Sequence, residues 1–110
     1  MYYLGVDLGT SSVKVLLVDE QGAVQKAVSR TYPLEFPQPG WSQQSPADWW
    51  TATSACIPEL LQGVDASQVK GLAVGGQMHG LVVLDEQDQV IRPAILWNDG
   101  RTGEETRAMN

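Results

Sequence analysis

Cysteine is almost absent from this sequence: Cys56 stands alone, so no disulfide can form within the chain. A lone cysteine fits a reducing compartment, and a cytoplasmic setting is expected. No apolar run approaches the roughly 18 residues that mark a membrane-spanning helix. The N-terminus carries no basic region ahead of its apolar stretch, and Asp7 interrupts that stretch early, so no secretory leader is expected. Positive charge is scarce as well. Seven Lys and Arg face thirteen Asp and Glu, giving a net charge of −6, and the basic residues are dispersed. That pattern argues against a nucleic-acid surface, and the acidity is read as solubility. Two common phosphate signatures are missing too. No Gly-Lys-Ser/Thr follows a glycine-rich loop, which excludes a Walker A motif, and no G-x-G-x-x-G marks a dinucleotide fold. What remains is 110 residues, 43% hydrophobic, an ordinary composition for one globular domain.

The spacing of apolar residues predicts a first strand over Tyr2 to Leu8 and a second over Val13 to Val18. In the second, Val13, Val15 and Leu17 share one face while Lys14, Leu16 and Val18 share the other, so a strand covered on both sides is expected. Asp19 to Gly22 (DEQG) reads as a tight turn with glycine last, where a positive φ is easiest. A third strand is expected over Ala23 to Tyr32. Pro33, Pro37, Pro39 and Gly40 mark a loop. SPADWW then opens a helix, with Ser45 as its cap and Pro46 in its first position. Trp49, Thr53, Cys56, Ile57 and Leu60 recur at helical spacing and should face the sheet. Pro58 should kink that helix or end its regular bonding, and Gly63 should stop it. Further strands are expected over Val69 to Gly76, Gly80 to Leu84 and Pro93 to Trp97. LDEQDQV (84–90) echoes the turn VDEQGAV (18–24), which predicts a second hairpin. Thr102 with Glu105 forms a capping-box pattern for a last helix, which reaches only Asn110. A helix of about two turns is marginal alone, so the chain reads as the front of something larger.

The stretch GVDLGTSSVKVLLVD sets a lone carboxylate before a glycine and three hydroxyls, between two apolar runs. A hairpin there places Asp7 at its tip. Gly9 allows a sharp turn and close approach of a ligand, and turn amides can converge on an anion as a nest. Thr10, Ser11 and Ser12 add hydroxyl donors, and Lys14 adds positive charge. Asp7 would repel a bare phosphate, but a divalent cation bridging carboxylate and phosphate through water removes the conflict. The alternative is an ordinary turn in which Asp7 and Thr10 satisfy local backbone.

A second constellation lies in GGQMHGL. Gly75, Gly76 and Gly80 leave little bulk around Gln77, Met78 and His79, which suits a crowded cleft edge. His79 can donate to and accept from a polyol, and Met78 can cover an apolar sugar edge. Taken singly, the histidine reads as a structural hydrogen-bonding group and the methionine as core. Trp97 either lines such a cleft or supports it. Asn98, Asp99 and Arg101 read either as ligand-facing groups or as a polar turn capping the last helix. Of the adjacent Trp49 and Trp50, at least one should pack. Trp41 would anchor the Pro/Gly loop, and Cys56 is read as a small buried residue.

The order strand–hairpin–strand–strand–helix–strand, with its mixed α/β sheet, resembles the N-terminal half-domain of the ribonuclease-H-like, actin-like ATPase fold, in which DxGT carries phosphate contacts. Within that fold the chain resembles the FGGY carbohydrate kinases, on GVDLGTSSVKVLLVD, GWSQQSPADWW, GLAVGGQMHGLVVLD and RPAILWNDGR together. GQMHG and ILWNDGR resemble the xylulose-phosphorylating branch. Residues 1–110 would then be the first part of that family's N-terminal domain, cut short. The resemblance implies phosphorylation of D-xylulose to D-xylulose 5-phosphate with ATP and Mg2+. It implies that Asp7 is catalytic by positioning the metal and γ-phosphate, and that Gly9, Thr10, Ser11, Ser12 and Lys14 surround the phosphates. Gln77, Met78 and His79 would face the sugar, with Asn98, Asp99 and Arg101 in a second sugar-side motif. Gluconate, ribulose or glycerol kinases are the alternatives within the family, and a binding module without catalysis is the alternative outside it. No GDxA-like motif, which carries the family's catalytic base, occurs in the sequence. The expected partners are the sugar and ATP, without nucleic acid or membrane. Apolar packing surface left exposed is expected to favour self-association, a homodimer included.

Overall fold

The alternation read from the first two apolar runs becomes two paired strands. A computed structural model describes residues 1–110, in which β1 spans Tyr2–Leu8 and β2 spans Ser12–Asp19. They pair antiparallel, Leu8 opposite Val13 and Tyr2 opposite Asp19. Beyond the DEQG turn, where Gly22 takes φ 85°, β3 (Val24–Thr31) pairs antiparallel with β2. Helix α1 (Pro46–Leu60) and a short 3-10 turn (Ala66–Gln68) lead to β5 (Val69–Gly76), which runs parallel to β1. The sheet order β3-β2-β1-β5 is mixed, as expected.

The chain divides into two compact units, Met1–Pro33 with Ala47–Gln77, and Leu34–Pro46 with Met78–Asn110. In the first, α1 lays Ala52, Cys56 and Leu60 into one cluster with Leu4, Val6, Val13, Val15 and Leu17. Thr53 is also buried, and Trp49 and Ile57 pack at the margin. Each large apolar side chain so buried contributes about 1.5–3 kcal/mol. The other face of β2 differs from expectation. Lys14 is exposed and Leu16 and Val18 are only half-buried, because no helix covers that side. Pro58 does not end α1. It lies on the exposed side, the helix continues to Leu60, and the Leu61 amide still donates to the Ile57 carbonyl. Gly63, at φ 75°, follows as the stop.

The second unit holds a small sheet that sequence spacing does not suggest. Gln43–Gln44 (β4), expected as loop, pairs antiparallel with Ala94–Ile95 (β6). Residues 80–84, expected as a strand, form only isolated bridges, Leu81 to Ile95 and Leu84 to Val90, for want of a continuous partner. The second DEQ turn does form. Asp85 Oδ1 accepts from the Gln87 and Gln89 amides, as Asp19 Oδ1 accepts from Gln21 and Ala23. Asp88, at φ 62°, stands where the first turn has Gly22. Helix α2 (Gly103–Met109) starts after Thr102, whose side chain makes no capping bond. Its backbone, at φ −97° and ψ 24°, lies outside the extended region in which a capping side chain turns back, and the Thr102 carbonyl instead accepts from Thr106 Oγ1.

Candidate functional site

Asp7 leaves β1 on the face away from α1, one residue before the strand ends. Its register partners are Lys14 on β2 and Gly75 on β5, so the carboxylate stands between an ammonium and a position without a side chain. Asp7 and Lys14 are both exposed, and neither is engaged in an ion pair. A Cβ added at Gly75 would meet nothing within 4 Å, so the space beside Asp7 is open. The carboxyl ends of neighbouring parallel strands are where open α/β sheets place their ligands.

The turn from Gly9 to Ser12 is closed by its own backbone, the Gly9 amide donating to the Ser12 carbonyl at 2.9 Å. Gly9 is needed here for space, because a Cβ would lie 3.1 Å from that same carbonyl oxygen. Its N–H is occupied by the turn, whose hydroxyls are those of Thr10, Ser11 and Ser12. Thr10 Oγ1 donates to Gln77 Oε1 at 3.4 Å, and the Gln77 amide donates to the Leu8 carbonyl at 3.0 Å. The structure thereby brings Gln77, from the second sequence constellation, to the hairpin of the first.

From sequence, Tyr32 reads only as the end of a strand. In the structure its amide donates to the Ser11 carbonyl, and its buried hydroxyl donates within the hairpin, where the carbonyls of Gly9 and Ser12 both lie in reach, Ser12 at 2.9 Å. Burial, and to a lesser degree the charge of Asp7, raises the phenol above its ordinary value of 10.0, so it stays a donor near neutral pH. Extending the β2–β3 register from Ser12 opposite Thr31 puts Tyr32 opposite Ser11, a signal that exists once that register is known.

In the second unit, Met78 and His79 are exposed, and His79 holds φ 59°. A left-handed non-glycine residue costs about 1–2 kcal/mol, and such strain gathers at ligand clamps. Asn98 is exposed and lines an open groove of about 550 Å3 with Phe36, Trp41 and Ser42 among its walls. Asp99 and Arg101 are engaged internally. The Asp99 carboxylate, 1% exposed, accepts from Arg101 Nη2 at 2.7 Å and from the Ser42 amide at 2.6 Å. Arg101 also reaches Gln43 Oε1 and lies 3.9 Å over the Trp41 ring. Hydrogen bonds from Arg101, first of all, hold the Asp99 carboxyl at about 2, against its ordinary 3.8.

Nowhere do three or more His, Cys, Asp or Glu side chains gather to cage a metal. One exposed carboxylate beside hydroxyls fits a cation that keeps several waters and takes its other ligands from phosphate, as Mg2+ does. No helix is long and apolar enough to cross a membrane.

This α/β sheet, with its hairpin at the carboxyl ends of β1 and β5, is the front of an actin-like ATPase fold, and sugar kinases are among the solved structures that superpose on it. A xylulose kinase from Brucella ovis matches with TM-score 0.93 and 42% identity, over 99% of this chain and 23% of that one. A gluconate kinase from Lactobacillus acidophilus matches with TM-score 0.91 and 28% identity, over 97% of this chain and 22% of that one. Among curated proteins, the xylulose kinase of Escherichia coli is 48% identical over 103 residues, 94% of this chain and 21% of the relative. The N-terminal domain profile of the FGGY family of carbohydrate kinases matches residues 2–110. The chain belongs to the FGGY family, and it spans about a fifth of the length of the curated relatives it matches.

Proposed function

We propose that this chain is the N-terminal part of a xylulose kinase, which transfers the γ-phosphoryl group of ATP to D-xylulose and yields D-xylulose 5-phosphate. The observation that carries the reading is the meeting of Asp7, the 9–12 turn and Gln77 at the ends of two parallel strands, in a chain 48% identical to a xylulose kinase. Bound Mg2+ would supply charge neutralisation at the β- and γ-phosphates. Asp7 would orient the hydrated metal, Lys14 would balance phosphate charge, Ser11 and Ser12 would donate to phosphate oxygens, and Thr10, whose own proton goes to Gln77, would line the same site, with Gly9 keeping the turn tight. Gln77, Met78, His79 and Asn98 would face the sugar. Asp99 and Arg101, bonded to each other, would hold Asn98 and the Trp41 loop in place. The base that accepts the sugar hydroxyl proton must lie within hydrogen-bond reach of that hydroxyl, and we assign it to a segment outside these residues.

The test is a chimera that joins residues 1–110 to the remainder of the Escherichia coli xylulose kinase. It should phosphorylate D-xylulose in preference to gluconate, ribulose and glycerol. Asp7→Asn in that chimera should lower kcat about a hundredfold or more with little change in xylulose affinity, since a metal-orienting charge acts on the transition state. Near-normal turnover of the variant at saturating Mg2+ would remove Asp7 from the phosphate site.

A further inference from the structure

A turn that binds phosphate has to present N–H and O–H groups to the anion and turn its carbonyl oxygens elsewhere, because each carbonyl oxygen is the negative end of a dipole. The 9–12 turn has a device for this. The Gly9 and Ser12 carbonyls, one at each end of the turn, converge on one hydroxyl, that of Tyr32. The Tyr32 ring belongs to the buried cluster with Val13, Val15 and Ala52, so both carbonyls are drawn toward the core. We propose that Tyr32 is a positioning residue of the phosphate hairpin, holding the Gly9 and Ser12 carbonyls on the core side so that the opposite side of the turn is left to donors.

The inference rests on the phosphate-binding reading of the hairpin. Three features make Tyr32 suited to the task. Its amide is bonded to Ser11, so its backbone is locked to the turn it controls. The residue is only 7% exposed, so packing fixes the ring and holds the hydroxyl at the turn. A phenol keeps its proton near neutral pH, so the oxygen has one to donate, whereas a phenolate would face two carbonyls with nothing to donate. A hydroxyl has one proton to share between these acceptors. The Ser12 carbonyl also accepts the Gly9 amide, whereas removing the phenol oxygen takes a donor from the Gly9 carbonyl.

Tyr32→Phe keeps the ring packing and removes only the donor. Amide hydrogen exchange on the 110-residue chain should show Gly9 exchanging about tenfold faster, the scale of one lost neutral hydrogen bond, while Val6 and Val15 keep their protection. In the chimera, the variant should raise KM for ATP or lower kcat several-fold and leave KM for xylulose unchanged. Unchanged Gly9 exchange would overturn the proposal. So would uniform acceleration along β1 and β2, which marks a purely structural residue, or local loosening with no change in ATP kinetics. If the chimera with Tyr32 intact shows no sugar-dependent turnover, it is the kinase reading that fails, and the exchange comparison still decides whether Tyr32 holds the turn.

Discussion

Asp99 shows how little a residue's identity says about its work until its neighbours are known. In the string WNDGR it reads equally as a ligand-facing acid or as part of a polar turn. The structure buries it against Arg101 and the Ser42 amide, and its two oxygens accept all of those donors. Removing one partner of a buried pair leaves the other charge uncompensated, so Asp99→Ala should destabilise the chain by about 3 kcal/mol in urea denaturation at neutral pH. The pH dependence follows from the carboxyl being held at about 2 when folded against 3.8 ordinarily. A depressed acid contributes stability that is complete above the unfolded value and is lost as pH falls through the folded one. The stability difference between the parent chain and its Asp99→Ala variant should therefore be constant from neutrality to about pH 4 and shrink between about pH 4 and 2. Curves that stay parallel through that window would show that the pair contributes nothing. Arg101 stacks on Trp41 in the same clasp, a contact that no pattern in the sequence announces, because the two residues are far apart along the chain.

At the scale of elements, the long periodic segments are legible in the sequence and the short ones are not. β1, β5 and the buried face of α1 follow from apolar spacing, since a strand of seven or eight residues or a fifteen-residue helix repeats its period several times. β4 and β6 are two residues each and repeat nothing. Residues 80–84 carry the right residue types for a strand but lack a neighbour to pair with along their length, and β propensity describes fit to a paired, half-buried surface. The helix face can be tested directly. Leu60 is fully buried at the end of α1, and Leu60→Ala should cost about 3 kcal/mol by loss of transfer energy and the cavity left behind. Thermal or urea unfolding measures it. A loss below about 1 kcal/mol would mean that the end of α1 relaxes to fill the space. Pro58, by contrast, reads in the sequence as a limit on the helix, and its exposed position lets the missing N–H go without a buried penalty.

For the molecule as a whole, the kinase reading predicts that the 110-residue chain folds but does not phosphorylate xylulose above background. Phosphoryl transfer depends on holding nucleophile, metal and γ-phosphate in line, and on that reading the chain would supply the phosphate hairpin and part of the sugar side but not the base. A coupled ATP-consumption assay beside a circular-dichroism check decides it, and clear xylulose-dependent turnover by the chain alone would place the base among these residues. The sequence by itself determined the hairpin, because Asp7, Gly9 and three consecutive hydroxyls are local neighbours whose arrangement needs only a turn. It likewise determined the helix face and both DEQ turns, which are set within a few residues. Tertiary structure alone decided that Gln77 meets Thr10, that Tyr32 holds the Gly9 and Ser12 carbonyls, and that Asp99 pairs inward with Arg101 and Ser42. All three join residues twenty or more positions apart, Asp99 and Ser42 among them. Strand register, a bulge between Leu17 and Val18, and the packing of neighbouring loops set those distances, and none of them leaves a periodic trace along the chain.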